Sequence, residues 1–151
     1  MDLPRQRIKA AIQPPLASLD FDSALPLQVS LDRCPWRVAV ASMLLCRTRR
    51  AQAEPVLKEL LTRWPTVADL ARAEGLEEVV RPCGLHVMRS RILQRFSVGL
   101  LADWWTDMRE LPGMGGLYVV DAVSLFCFDC VDLRSSDGVL KTYRNKLCSN
   151  S

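Results

Sequence analysis

Apolar residues recur along most of this chain at the spacing of buried helix faces. The segment 35–45 is apolar on nearly every side and begins with Pro35, a residue suited to a first helical turn. Other amphipathic or wholly apolar patterns predict helices over 52–63, 86–103 and 117–128 and a short helix over 76–80. Since no alternating pattern is long enough to found a sheet, the sequence predicts an all-α fold.

Capping residues and interruptions of the apolar pattern predict the shorter helices. Thr66, with Asp69 three residues later, forms a capping pattern for a short helix that ends near Gly75. Another short helix is expected over 105–110, and Asp137 stands at the expected N-cap of the last helix. These elements leave only short connections between helices.

The first 25 residues are rich in proline and lack strong periodicity. We therefore expect a loosely packed N-terminal arm over 1–25 and a single domain over 26–151, which suits the length of the chain. No apolar run reaches the ~20 residues of a membrane span, and the start lacks the charge and apolar order of a secretory signal. The expectation is an intracellular monomer with no membrane partner.

Charge and cysteine content add little by themselves. The net charge is +3, and arginine supplies sixteen of the 20 cationic side chains, a bias that suits phosphate contacts but also results from GC-rich coding. The six cysteines lack the secretory context of a disulfide framework. Cys127 and Cys130 have the spacing of a metal or redox pair, but no second close pair exists and His86 is the sole histidine. We expect structural thiols and no metal site.

The segment Leu111-Pro112-Gly113-Met114-Gly115 lies between two predicted helices. Gly113 and Gly115 allow unusual backbone torsions and leave amides uncovered, while Met114 can turn inward. The free amides and the dipole of the following helix then form a site for a DNA phosphate. Alone, such a turn is equally well a tight connection between helices.

Asp137 lies twenty-two residues beyond Gly115, a separation that lets the chain return beside the hairpin. An ionised carboxylate there can stabilise the positive charge on a sugar whose N-glycosidic bond breaks, or it can activate a water. A plain helix cap is the alternative. Asp121, which can favour its own helix start, lacks this combination, as do Asp129 and Asp132.

Taken in order, the motifs of this chain resemble the helix-hairpin-helix (HhH-GPD) superfamily of DNA base-excision glycosylases. Within it they are most similar to the thymine/uracil mismatch glycosylases. The resemblance covers about residues 25–147 and is carried by Cys34-Pro35-Trp36, Leu45-Cys46-Arg47-Thr48, Pro55-Val56-Leu57, Cys83-Gly84-Leu85-His86, Glu110-Leu111-Pro112-Gly113-Met114-Gly115, Leu125-Phe126-Cys127 and Ser136-Asp137. It implies the compact all-α fold of that superfamily, with a helix-hairpin-helix motif.

The resemblance also implies roles for single residues. Asp137 matches the catalytic aspartate, and Gln28 matches the side chain that contacts the flipped pyrimidine. Arg47 matches the residue that fills the gap left by the base, and Leu85, followed by His86, matches a second wedge. Without the resemblance, Gln28 and Arg47 are ordinary polar residues and Leu85 is a core residue. The DNA-binding hairpin consists of Pro112, Gly113, Met114 and Gly115, and the family holds a monovalent cation on its carbonyls.

Three departures from the family pattern modify these expectations. Bifunctional relatives place a Schiff-base lysine just after the hairpin, where this chain has Gly116-Leu117-Tyr118. The base-pocket tyrosine of the mismatch enzymes falls on Leu117 without a gap, or on Tyr118 after a shift of one residue. Only Cys148 follows Asp137, so no iron–sulfur cluster and no other cofactor is expected.

The sequence therefore predicts a monofunctional glycosylase that removes thymine or uracil, including 5-substituted uracils, opposite guanine. Its partner would be double-stranded DNA with a mismatched or damaged pyrimidine. The first alternative is a catalytically silent helix-hairpin-helix module that binds phosphates without sequence preference. The second alternative is a metal or redox site built from the cysteines.

Overall fold

The computed structural model of the chain describes residues 1–150, and within them it contains eight α-helices and three 3₁₀ turns. The helices are α1 (Arg5–Ala10), α2 (Pro35–Leu45), α3 (Arg50–Arg63), α4 (Val67–Ala71), α5 (Leu76–Val80), α6 (His86–Leu101), α7 (Leu117–Phe128) and α8 (Gly138–Ser149), and the turns are Leu27–Ser30, Arg81–Cys83 and Met108–Glu110. The predicted all-α fold is confirmed. None of these helices combines the length and apolar character that crossing a bilayer would require.

Two apolar helices, α2 and α7, pack against each other at the centre of the molecule. Every residue of α2 from Pro35 to Leu44 is buried, and α7 is buried from Asp121 to Cys127. Helices α3 and α6 also contact α2, while α8 and the turn Leu27–Ser30 contact α7. A helix that is apolar all round must be enclosed in this way.

Local capping signals determine several helix ends. Thr66 Oγ1 accepts a hydrogen bond from the backbone amide of Asp69 (3.1 Å), and the Asp69 carboxylate accepts one from the amide of Thr66 (3.2 Å). Asp137 caps α8, because its Oδ1 accepts a hydrogen bond from the amide of Leu140 at 2.9 Å. These are the reciprocal and single caps that the residue types favour, and the positions agree with the sequence-based expectation.

The expectation of a loosely packed N-terminal arm is wrong for its first ten residues, whereas residues 11–25 contain no buried side chain. Leu3 and Ile8 are fully buried. The arm also forms a short antiparallel pairing, in which Arg5 N donates to the Thr106 carbonyl (2.9 Å) and Met108 N donates to the Leu3 carbonyl (2.8 Å). Two isolated apolar residues in a proline-rich segment create no periodicity, so the pattern did not reveal this packing.

Arginines of the core helices hold the rest of the arm. Arg37, buried in α2, donates from Nη1 to the carbonyl of Pro14 at 2.8 Å, and its Nε and Nη2 have no hydrogen-bond partner within residues 1–150. Arg50 of α3 donates to the carbonyls of Leu25 and Asp22. The arm is therefore an integrated layer of the fold and leads directly into the turn Leu27–Ser30.

The helix expected over 105–110 is observed only as the turn Met108–Glu110. Trp105 is fully buried, and its carbonyl accepts a hydrogen bond from Arg5 Nη1 at 2.7 Å. Asp107 caps the turn with its side chain. Pairing with the arm and this later cap together keep the first half of the segment extended.

Replacing a buried residue of the arm tests its contribution to stability. We expect Ile8→Ala to lower the free energy of unfolding by about 2–4 kcal/mol, because the change opens a cavity in a fully buried site. The matched control is Gln6→Ala, which changes an exposed residue of the same helix and should stay within about 0.5 kcal/mol of the wild type. Urea unfolding measures both variants, and equal stabilities would contradict the packed arm.

Candidate active site

A cavity of about 1310 Å³ opens where the ends of α2, α7 and α8 meet the turn Leu27–Ser30. Its wall includes Gln28, Arg47, Tyr118 and Asp137, four residues singled out from the sequence. Leu117 is 55% exposed and is not among the described residues that line the cavity. These four residues bring a carboxylate, an amide, a phenol and a guanidinium to a common space, whose wall also includes Arg50, Tyr143 and Lys146.

Asp137 is held at the N-terminus of α8 by two backbone contacts. Its Oδ1 accepts from the amide of Leu140 at 2.9 Å, and its own amide donates to Ser135 Oγ at 3.1 Å. Within residues 1–150 its second oxygen, Oδ2, accepts no hydrogen bond. The carboxylate is therefore both oriented and left with one oxygen for a ligand or a water.

The Gln28 side chain is fixed in one orientation. Gln28 is only 2% exposed, and its Nε2 donates to Tyr118 Oη (2.9 Å) and to Ser42 Oγ (3.3 Å). Ser42 Oγ donates its only hydrogen to the Val38 carbonyl at 2.7 Å, so toward Gln28 it can only accept. This leaves Gln28 Oε1 as an acceptor without a partner in the described chain, available to an N–H group in the cavity.

Tyr118 contributes a neutral phenol to the cavity wall. Its pKa is raised to about 12, mainly by burial; the hydrogen bond from Gln28 acts in the opposite direction, and the negative charge of Asp137 adds to the rise. Since Tyr118 Oη accepts from Gln28, its own hydrogen remains to be donated. Gln28 and Tyr118 therefore offer one acceptor and one donor side by side.

Arg47 and Leu85 are exposed residues on two neighbouring loops. Arg47 follows α2 with φ 56°, and Leu85 precedes α6 with φ 48°; both are in the left-handed region that non-glycine residues rarely adopt. Leu85 is 60% exposed and so is not a core residue, and His86 begins α6 directly after it. Of the two loops, only that of Arg47 borders the cavity.

Hydrogen bonds connect these two loops. Arg89 of α6 donates from Nη1 to the carbonyls of Met43 (3.2 Å) and Leu44 (2.9 Å) at the end of α2. Thr48 Oγ1 donates to the carbonyl of Cys83 at 3.4 Å. The Arg47 loop is thereby held both to α6 and to the turn before Leu85.

The hairpin between Leu111 and Gly116 exposes backbone amides beside the N-terminus of α7. Met114 is buried and Pro112 is half-buried, while Gly115 and Gly116 are exposed. The amides of Gly113, Gly115 and Gly116 donate no hydrogen bond to any group within residues 1–150. Such amides at a helix N-terminus favour an anion, for example a phosphate.

Gly113 is required by close packing as well as by backbone conformation. Its φ is 85°, and a Cβ atom built on it would lie 2.6 Å from Met43 Cε and 2.9 Å from Ile92 Cγ2. The hairpin therefore rests directly on side chains of α2 and α6. Any side chain at this position would have to displace them.

Two residues of the site were missed or misread in the sequence. Ser42 was counted only as part of an apolar helix. Asp121 does more than favour a helix start: it is buried, and its Oδ2 accepts hydrogen bonds from the amides of Arg134 (2.9 Å) and Ser135 (2.6 Å). Their only signal in the sequence is a polar residue within an apolar helical run.

The lysines and cysteines bear on other chemistry. Lys146 of α8 lies on the cavity wall, and no lysine stands directly after the hairpin, where the chain has Gly116, Leu117 and Tyr118. Cys34, Cys46, Cys83, Cys127 and Cys130 are free thiols, and burial raises the pKa of the Cys127 thiol. Within residues 1–150 no three His, Cys, Asp or Glu side chains are grouped so that they could hold a metal ion.

The fold and the site together define an all-α protein with the architecture of the helix-hairpin-helix DNA glycosylases. A solved structure of a thermostable thymine-DNA glycosylase superposes with a TM-score of 0.56 at 18% identity, covering 63% of this chain and 48% of that one. This similarity shows the shared fold. No family model matches the chain.

Sequence relatives agree with this fold. The chain is 35% identical over 112 residues to a methyl-CpG-binding domain protein 4-like protein of Arabidopsis thaliana, covering 72% of this chain and 25% of that protein. It is 28% identical over 102 residues to a thymine/uracil-DNA glycosylase of Pyrobaculum aerophilum, covering 62% of this chain and 44% of that protein. The chain thus spans less than half the length of either relative. The predicted resemblance to the helix-hairpin-helix glycosylases is confirmed.

A pair of glycine substitutions tests the hairpin packing. Gly113→Ala should lower the free energy of unfolding by about 1–3 kcal/mol, because the added methyl group clashes and the backbone has positive φ. Gly115→Ala is the matched control, since a Cβ there meets nothing within 4 Å. Denaturant unfolding compares the two variants. A Gly113→Ala protein as stable as the Gly115→Ala protein would show that the turn has room for a side chain at position 113.

The pKa of Tyr118 can be measured directly because the chain has only two tyrosines. We expect the difference in phenolate absorbance between wild type and Tyr118→Phe to stay small up to about pH 11, since burial raises the Tyr118 pKa to about 12. Stability conferred by the neutral phenol should be complete below pH 10 and should fall as the pH rises toward 12. A Tyr118 transition near pH 10 would mean that the phenol is solvated.

Proposed function

We propose that this chain is a monofunctional DNA glycosylase that hydrolyses the N-glycosidic bond of thymine or uracil, including 5-substituted uracils, paired with guanine in duplex DNA. The observation that carries the proposal is the shared cavity of Asp137, Gln28 and Tyr118 beside Arg47. The similarity to a protein named thymine/uracil-DNA glycosylase supports the choice of bases.

The donor and acceptor pattern of the cavity suits the edge of a uracil or thymine. These bases present an N–H group flanked by carbonyl oxygens. Gln28 Oε1 can accept from that N–H while the Tyr118 hydroxyl donates to a neighbouring carbonyl. A base can reach these groups only after it is rotated out of the duplex.

Asp137 then supports cleavage of the bond between the sugar carbon C1′ and the base nitrogen. The bonding electron pair leaves with the base, and positive charge develops on the sugar, which the carboxylate stabilises. A water oxygen bonds to C1′ and one of its protons passes to Asp137, which then gives that proton to the departing base and returns to the carboxylate. The products are the free base and an abasic site.

The remaining surface would hold the opened duplex. The free amides of the hairpin bind a phosphate, and Arg47 and Leu85 fill the space that the extruded base leaves, which offsets a cost of a few kcal/mol. The carbonyls of Gly113 and Gly115 accept no hydrogen bond within residues 1–150, so they fit the monovalent cation that the resemblance implies at this turn. No other cofactor is proposed.

The partner is double-stranded DNA that carries a mismatched or damaged pyrimidine. All residues assigned to the site come from one chain, so a monomer suffices, and the protein would act inside the cell, where DNA resides. Since no lysine stands directly after the hairpin, base removal would occur without strand cleavage.

Substitution of the carboxylate tests the mechanism. Asp137→Asn should slow single-turnover base release from a G·U duplex by about 100-fold or more, because the charge that stabilises the sugar cation is lost. Asparagine remains a good helix cap, so the fold should be retained. The control is Asp132→Asn, which removes an exposed carboxylate outside the cavity and should leave the rate unchanged.

The assay uses G·T, G·U and A·U duplexes, with alkali to reveal abasic sites. Salt-sensitive binding with no base release from any duplex would favour a catalytically silent binding module. Borohydride should trap no covalent complex with an abasic product. A trapped complex would contradict monofunctional chemistry, and loss of trapping in Lys146→Ala would identify the nucleophile.

A further inference from the structure

A carboxylate is buried in the most apolar part of the fold. Asp121 is 4% exposed on α7, a helix whose other buried residues are apolar apart from Ser124. Burial of a charge is costly unless hydrogen bonds compensate for it. At Asp121 the compensation comes from two backbone amides, those of Arg134 (2.9 Å) and Ser135 (2.6 Å), which donate to Oδ2.

These amides belong to the loop that returns from the end of α7 to Asp137. Ser135 continues the connection, because its Oγ accepts a hydrogen bond from the amide of Asp137 at 3.1 Å. Asp137 in turn caps α8 through Leu140. A continuous set of hydrogen bonds therefore runs from the interior of α7 to the carboxylate in the cavity.

Asp121 also shares its helix with the phenol of the cavity. Tyr118 lies three residues earlier on α7, a spacing that puts the two side chains on neighbouring positions of one face. Tyr118 is bonded to Gln28. Helix α7 therefore positions Tyr118 directly, Gln28 through its hydrogen bond to Tyr118, and Asp137 through Asp121.

We propose that Asp121 is a positioning residue of the active site, which fixes the loop before α8 so that the Asp137 carboxylate faces the base held by Gln28 and Tyr118. This inference rests on the proposed glycosylase function. Small displacements of a reacting group cost large factors in rate, on the order of 100-fold for about 1 Å. A loop without regular structure between α7 and α8 needs such an anchor.

Three variants test the anchor. Asp121→Ala removes the acceptor and should slow single-turnover base release from a G·U duplex at least 10-fold. Asp121→Asn keeps an oxygen that can accept from the same amides and should stay within about 5-fold of wild type. Ser124→Ala is the control, because Ser124 is buried one turn further along α7 and its side chain makes no hydrogen bond within residues 1–150.

A double-mutant comparison separates positioning from a general structural role. If Asp121 acts through Asp137, the Asp121→Ala change should cost nothing further in an Asp137→Asn background. Binding of a duplex with an uncleavable 2′-fluoro analogue of the target nucleotide should change less than 2-fold in Asp121→Ala. If the role of Asp121 were purely structural, Asp121→Ala would instead weaken binding of the duplex and would slow base release equally in the wild-type and Asp137→Asn backgrounds.

The amide protons of Arg134 and Ser135 give a readout that does not depend on activity. Their short bonds to a carboxylate should move their NMR signals downfield in wild type and Ser124→Ala, and Asp121→Ala should abolish this shift. An active wild type whose Asp121→Ala variant is equally fast would overturn the positioning role alone. A wild type that releases no base from any duplex would overturn the proposed function together with this inference.

Discussion

The contact between α2 and α7 is the constraint on which the rest of the molecule depends. Both helices are apolar around most of their circumference, so each must be covered by the other and by the surrounding helices. The segments that carry chemistry are attached to their ends: the turn with Gln28 precedes α2, the loop with Arg47 follows it, the hairpin precedes α7, and the loop to Asp137 follows α7. Burial of two helices thus assembles groups that are far apart along the chain.

In the cavity, the two residues proposed to contact the base are neutral, and the residue proposed to act on the sugar is a carboxylate. Gln28 is a neutral amide, and Tyr118 is a phenol whose pKa burial raises to about 12, so neither adds negative charge to the space where a base would sit. Asp137 is the carboxylate on the wall. In the proposed reaction, the negative charge of the Asp137 carboxylate therefore acts on the sugar and not on the base.

The sequence predicted what local rules determine and missed what distant contacts determine. The main helices carry strong apolar periodicity and clear caps, and the likeness to a known superfamily singled out the residues that line the cavity. Leu3 and Ile8 were missed because an isolated apolar residue has no period, and the partner of Leu3 lies about a hundred residues away at Met108. Ser42 was missed and Asp121 was interpreted only as favouring its helix start, because each is a single polar residue in an apolar helix and only its contacts reveal what it holds.

The left-handed backbone at Arg47 and Leu85 has an evolutionary consequence. Such a conformation costs a residue with a Cβ atom about 1–2 kcal/mol, a cost that glycine does not incur. Replacement by glycine would therefore make either loop more stable while removing its projecting side chain. For the wedge role proposed for these two side chains, both loops trade stability for function, and selection for thermal tolerance alone would favour glycine at either position.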